Sequence, residues 1–287
     1  MKKFKLLLAA GFAAALFAGC TTFDEKQRAW IFQPSDRTWG GGLAAAEGMQ
    51  EVWIPMVAPV NGKDASTADD EKAPKLHGLW LASSKPNAPV LLYLHGARYN
   101  VTASAPRIRR LQELGFSVLA IDYRGFGKSS PGLPSEMTAF EDAKTAWNWL
   151  GQQHPKQQRY IFGHSLGGSI AIHLASEVTD ESGTLVEGTF TSIADIVSTT
   201  KWGWVPVSFL ITQRFEAIKR VALTGSPLLV VHGGDDQLIA PELGRKLYNA
   251  AAQPKMFVLV EGGSHYNTSL VGLPQYREAL AKLFALK

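Results

Sequence analysis

The chain predicts a mostly parallel, doubly wound α/β sheet, and three observations predict it. From Pro89 onward five runs are continuously apolar: PVLLYLHG, SVLAIDYRG, RYIFGHS, SPLLVVHGG and KMFVLVEGG. Continuous rather than alternating apolarity marks strands buried on both faces. Helical stretches fall between them, at about Ala105 to Leu114, Glu136 to Gln153, Gly168 to Val178, Pro241 to Ala251 and Pro274 to Leu286. Strand and helix alternation of this kind gives a parallel sheet covered on both sides. Finally, 287 residues with 46% hydrophobic content, evenly spread, can bury one full core. One globular domain over residues 49–287 is expected, with no repeat and no low-complexity block.

The elements follow in order. The first segment, MKKFKLLLAAGFAAALFAGC, has a cationic start and an apolar stretch from about Leu6 to Ala18. That stretch is too short for a permanent membrane span and reads as an export signal over residues 1–19. Ala18 and Gly19 before Cys20 resemble the lipobox of bacterial lipoproteins, with Phe17 standing where leucine is usual. The resemblance implies that Cys20 is diacylated, becomes the mature N-terminus and holds the protein at a membrane. The alternative is an ordinary signal peptide with an incidental cysteine. The expected location is the bacterial cell envelope. Thr21 replaces the aspartate that retains enterobacterial lipoproteins at the inner membrane, which points to the periplasmic face of the outer membrane. With a single cysteine, no internal disulfide exists.

Residues 20–48 read as a tether plus a packed arm, in which Trp30, Ile31 and Phe32 dock on the body and Gly40-Gly41-Gly42 form a flexible break. Val52-Trp53-Ile54 and Leu76 to Leu81 are short strand-like runs, forming an antiparallel hairpin at the sheet edge. The loop joining them, NGKDASTADDEKAP, could bind a cation, although a solvated connection suffices. A short lid over about residues 193–222 interrupts the rhythm of the sheet. Its Trp202, Trp204, Phe209 and Phe215 either line an acyl pocket or simply pack on the sheet or face the membrane.

Function in such sheets gathers at the carboxyl ends of strands. Tyr160-Ile161-Phe162 enters a turn at Gly163-His164-Ser165-Leu166-Gly167, followed by a helix. A serine in this strand, turn, helix context is held out at the top of the sheet beside the positive end of a helix dipole. Larger residues at Gly163 or Gly167 would collide with the neighbouring strand and helix. A serine hydroxyl needs a base, itself oriented by an acid. Asp235 and Asp236 follow the strand LLVVHGG, and His265 follows the strand ending in LVEGG. His95, His164 and His232 also lie near strand ends, but only His265 sits in a glycine-bearing loop after the last strand. Ser, Asp, His is the chain order of the α/β-hydrolase fold.

DYRGFGKSS, GHSLGG, DQLIAP and GGSH together resemble the α/β-hydrolase superfamily over about Leu76 to Leu286. More closely, the chain is similar to membrane-anchored α/β-hydrolase-domain proteins, near the serine aminopeptidase and dienelactone hydrolase branch. The resemblance implies that the acid is the aspartate before the Q-L-I-A-P segment, Asp236, and makes Asp235 a turn residue. It also implies an oxyanion hole from the amides of Ala97 and Leu166. The expected activity is hydrolysis of a small-molecule or lipid-like carboxylic ester or thioester through an acyl-enzyme. A peptidase of the same fold and a catalytically silent binding lipoprotein are the alternatives.

Several classes are excluded or unsupported. GFGKSS imitates a phosphate loop, but Asp122 stands where its first glycine is required. There is no HExxH, no paired-cysteine spacing and no dinucleotide fingerprint, so no metal or cofactor is implied. Lys2, Lys3 and Lys5 supply most of the formal charge of +4, and no basic run remains to hold nucleic acid.

Overall fold

Among the described residues, eight strands form one sheet in the order β1-β2-β4-β3-β5-β6-β7-β8. The computed structural model describes residues 21–35, 37, 41–56, 73–199 and 208–286. Along the chain run helix α1 (21–32), α2 (Gly42–Ala46), β1 (Gln50–Pro55), β2 (Lys75–Leu81), β3 (Val90–Leu94), α3 (Ala105–Glu113), β4 (Ser117–Ile121), α4 (Glu136–Gln153), β5 (Arg159–His164) and α5 (Leu166–Ala175). They are followed by β6 (Gly183–Glu187), α6 (Ile193–Ser198), α7 (Ala217–Arg220), β7 (Leu228–Gly233), α8 (Pro241–Ala250), β8 (Lys255–Val260), α9 (Thr268–Val271) and α10 (Leu273–Phe284).

The β3 to β8 part of the sheet is parallel, while β1 and β2 pair antiparallel and β2 runs antiparallel to β4. Side chains alternate across the sheet, so each central strand feeds two cores. Leu92, Leu94, Ile161 and Val230 pack against α4, α5 and α8 through Trp147, Ile170 and Leu247. Leu91, Tyr93, Phe162 and Val231 pack on the other face against α3 and α10 through Ile108, Leu111 and Leu280. Burial on both faces explains why these strands read as unbroken apolar runs. Each such side chain contributes about 1.5–3 kcal/mol. The run KMFVLV corrects the expectation, because β8 is the edge strand, with most of its side chains half-buried and Leu259 exposed.

β6 is the strand that the apolar rhythm does not announce. Its sequence GTLVE is short and carries a buried threonine and glutamate, yet it lies between β5 and β7 in the middle of the sheet. Gly183 is required there because a Cβ would strike the Phe284 ring. GFGKSS forms a structural turn: Gly125 and Gly127 have positive φ, and the Gly125 amide donates to the Ser130 carbonyl at 2.9 Å.

The described part of the 193–222 segment forms α6, a 3₁₀ turn at Ser208–Leu210 and α7. It corrects the acyl-pocket reading for Phe209 and Phe215. Phe215 is fully buried against Phe32 and Phe140, whereas Phe209 is exposed. Neither lines the cavity described below. Trp202 and Trp204 lie outside the described residues, as do Cys20, residues 1–19 and most of the β1–β2 loop.

Candidate active site

Ser165 joins β5 to α5 with φ 56° and ψ −121°. A non-glycine residue in this region is strained by about 1–3 kcal/mol, so its surroundings must hold it. They do so by hydrogen bonds: the Ser165 amide donates to the Glu187 carbonyl at 2.9 Å, and Thr189 Oγ1 donates to the Ser165 carbonyl at 2.9 Å. The flanking glycines have steric reasons. A Cβ on Gly163 would overlap the Gly167 carbonyl, and one on Gly167 would overlap the Leu94 carbonyl. A Cβ on Gly96 would come within 3.0 Å of the Ser165 Cβ. α5 begins at Leu166, two residues earlier than predicted, because Ser165 itself is the N-cap.

His265 occupies the loop after β8 and Asp236 the loop after β7. His265 Nδ1 lies 2.8 Å from Asp236 Oδ2. A carboxylate can only accept here, so Nδ1 is the donor and Nε2 is the ring nitrogen left facing away from Asp236. Asp236 Oδ1 accepts the Leu238 and Ile239 amides at 2.9 Å each. Burial alone would raise the Asp236 carboxyl. Hydrogen bonds from His232 and His265 and the Ile239 amide outweigh it and hold the group well below the usual carboxylate range. Asp235 is exposed, and its amide donates to the Gly263 carbonyl at 2.8 Å, tying the two loops together. Gly188 has φ 58°, and a Cβ there would press on His265 Nδ1 and Asp236 Oδ2.

Ser165, His265, Ala97 and Leu166 all line one cavity of about 270 Å³. Leu166 opens α5, so its amide has no acceptor four residues earlier within the helix. The cavity has two characters. Phe190, Ile193, Ile196, Val197, Leu238 and Ile239 give it an apolar wall, while Arg98, Asn100, Ser104 and Arg107 give it a polar and cationic one. Among the described residues that line it there is no aspartate or glutamate.

Sequence reasoning missed the support behind this wall. Arg107 Nε donates to Glu187 Oε1 at 2.9 Å, and the Tyr276 hydroxyl donates to Glu187 Oε2. Burial works most strongly against the Arg107 charge, but Glu187, Tyr93 and Tyr276 together outweigh it and the guanidinium stays cationic. His164 Nε2 donates to the His265 carbonyl at 3.0 Å. Burial first, then the Arg107 and His265 charges, holds the His164 imidazole well below its ordinary value. Nothing local marks Arg107, Glu187 or Tyr276, which are far apart in sequence and converge only in the fold.

Comparison with known proteins agrees with this architecture. Residues 85–195 match the family model described as serine aminopeptidase, S33. An uncharacterized protein of Mycobacterium tuberculosis is 31% identical over 275 residues, covering 94% of this chain and 92% of its own. The lysophosphatidylserine lipase ABHD12 of Danio rerio is 31% identical over 186 residues, 58% of this chain and 48% of that protein. The Pyrococcus furiosus esterase Pf2001 superposes with a TM-score of 0.64 at 19% identity, covering 88% of this chain and 95% of that one. With its eight-stranded sheet, its strained serine turn and these relatives, the chain belongs to the α/β-hydrolase superfamily and is a serine-hydrolase-type enzyme of it.

Proposed function

We propose that the protein hydrolyses carboxylic esters or thioesters through an acyl-enzyme on Ser165. The observation that carries this reading is the pairing of His265 with a buried, ionised Asp236 on the rim of the cavity into which Ser165 opens. In this reading His265 Nε2 takes the Ser165 proton as Oγ attacks the carbonyl carbon. Asp236 stabilises the resulting imidazolium and keeps Nδ1 protonated. The amides of Ala97 and Leu166 receive the oxyanion, each contributing about 3 kcal/mol. The imidazolium then gives its proton to the departing alkoxide or thiolate. Water, deprotonated by His265, cleaves the acyl-enzyme and restores Ser165.

The two-sided cavity favours an amphiphilic substrate, with the acyl chain along Ile193, Ile196 and Leu238 and a polar or anionic leaving group toward Arg98. The similar lipase is named for lysophosphatidylserine, a single-chain anionic lipid, which supports that class of substrate. A peptidase reading draws on the serine aminopeptidase description of the family model. The described part of the cavity instead presents the cationic Arg98 and Arg107, which suit an anionic group better than a free amine. The same proposal has the chain held at a membrane through acylated Cys20.

The test is fluorophosphonate labelling and turnover of p-nitrophenyl esters of graded chain length by the full chain, beside Ser165→Ala and an aminoacyl p-nitroanilide. Labelling and ester turnover that vanish with Ser165→Ala support the reading. Faster turnover of the anilide would replace it with the peptidase. A wild-type protein that neither labels nor turns over any ester would leave the binding-module alternative.

A further inference from the structure

The segment that carries Ala97 is an unusual piece of backbone. Arg98 has φ 71° and Tyr99 φ 60°, two consecutive non-glycine residues in the left-handed region. Such a conformation persists only where the surroundings over-determine it. On the N-terminal side the Tyr123 hydroxyl donates to the His95 carbonyl at 3.0 Å. On the C-terminal side the Val101 amide donates to Asp122 Oδ1 at 2.6 Å, and the Asn100 side chain caps the following 3₁₀ turn. Neither contact reaches the two strained residues.

The N-terminal arm reaches both of them. The Arg98 amide donates to the Phe32 carbonyl at 2.8 Å, and Pro34 forms a parallel bridge with Tyr99. The Phe32 ring fixes that carbonyl: it is fully buried, with its centroid 6.3 Å from Phe126 and 5.7 Å from Phe215. Trp30, Ile31 and Gln33, on either side, line the cavity itself. The rest of α1 is tied to the body at separate points. Gln27 donates to the Leu210 carbonyl at 2.8 Å and accepts the Thr212 amide at 3.0 Å, Gln213 donates to Asp24 at 2.8 Å, and Arg28 donates to the Pro134 carbonyl at 2.9 Å.

We infer that residues 30–34 are a positioning element of the active site. By holding Arg98 and Tyr99 left-handed, the Phe32 carbonyl and Pro34 fix the direction of the Ala97 amide. The arm thereby contributes to stabilisation of the oxyanion, not only to attachment of the chain. This rests on the reading of Ala97 as an oxyanion donor. A misdirected amide costs transition-state stabilisation and leaves substrate capture by the cavity walls nearly intact, which gives the inference a kinetic signature.

The test compares the full chain with its Phe32→Ala, Phe32→Leu and Pro34→Gly variants, each checked for a native melting transition. Three quantities are read: kcat and KM on a p-nitrophenyl ester, and the Kd of an alkyl trifluoromethyl ketone, whose tetrahedral adduct needs the oxyanion donors. In Phe32→Ala, kcat is expected to fall roughly 10- to 100-fold with KM within about threefold, the ketone weakening in parallel, and Phe32→Leu recovering most of the loss. Pro34→Gly loosens the bridge to Tyr99 without opening a hole in the core, and shows the same pattern in smaller degree even where Phe32→Ala does not fold. A lowered melting temperature with kcat and ketone affinity within about twofold of wild type would make the arm a brace only and overturn the inference. So would a rise in KM alone. A wild-type protein without ester turnover defeats the underlying reading as well, an outcome distinct from an active wild type with active variants.

Discussion

Asp236 and His265 stand 29 positions apart in sequence, yet their Oδ2 and Nδ1 atoms meet at 2.8 Å, while Asp235, one residue earlier, points to solvent. Their difference decides the first prediction. Asp236→Asn keeps an oxygen for the Leu238 and Ile239 amides but can no longer fix the His265 tautomer. Its kcat is expected to fall about 10³- to 10⁴-fold with folding retained. Asp235→Asn is expected within about twofold of wild type. Steady-state ester kinetics on the two variants checks both.

Gly167→Ala tests the turn. Inside an ordinary helix this exchange would stabilise by up to about 1 kcal/mol. Here the added methyl overlaps the Leu94 carbonyl, and overpacking of that kind costs about 1–3 kcal/mol, so collision wins. Denaturant titration should show a loss of stability, together with loss of fluorophosphonate labelling as Ser165 shifts.

Acyl-chain preference should follow the apolar wall. Ile196→Trp fills part of a cavity of about 270 Å³. Each methylene accommodated in such a pocket is worth about 1–3 kcal/mol, so the optimum chain length should shorten and longer esters lose about tenfold or more per lost step. A chain-length profile unchanged by this substitution would show that acyl groups lie elsewhere.

The buried pair behind the cavity should dominate the surface ones. Glu187→Gln leaves the Arg107 charge enclosed without its counter-ion, and the expected cost is about 3–5 kcal/mol. Glu278→Gln removes a fully exposed partner of Lys282, and its melting temperature should stay near that of wild type. Thermal and denaturant unfolding at neutral pH separates the two.

Acidification should weaken the fold through His164. Its imidazole titrates near 6.5 when unperturbed and well below that when buried. The folded chain therefore binds fewer protons than the unfolded one. The His164 contribution is present above about pH 6.5 and is lost as pH falls through that value toward the folded one, by up to about 1.4 kcal/mol per pH unit. His95, lowered first by burial, acts in the same direction. Stability measured from pH 8 to 5 should fall less steeply in His164→Gln, which retains a donor for the His265 carbonyl.

What the sequence determined by itself was everything set by local pattern. Unbroken apolar runs announced β3, β4, β5 and β7 as buried strands but not that β8 would be a half-buried edge, and the helices of Glu136–Gln153 and Pro241–Ala250 lie within a residue of where the pattern puts them. GHSLGG announced a strained turn, because its glycines are needed by contacts within the turn and with the adjacent strand. The choice of Asp236 over Asp235 came from the DQLIAP resemblance; that Asp236 is buried and accepts two amides while Asp235 is exposed is a fact of the fold alone. Other features had no local signature. β6 hides its central place behind a polar five-residue sequence, and Phe215 and Phe209 look alike until one is core and the other exposed. The grip of Phe32 on Arg98 joins residues 66 positions apart, and Arg107, Glu187 and Tyr276 converge from three elements. Only the tertiary structure decided these, because periodicity records how deeply an element is buried and carries no record of which distant element buries it.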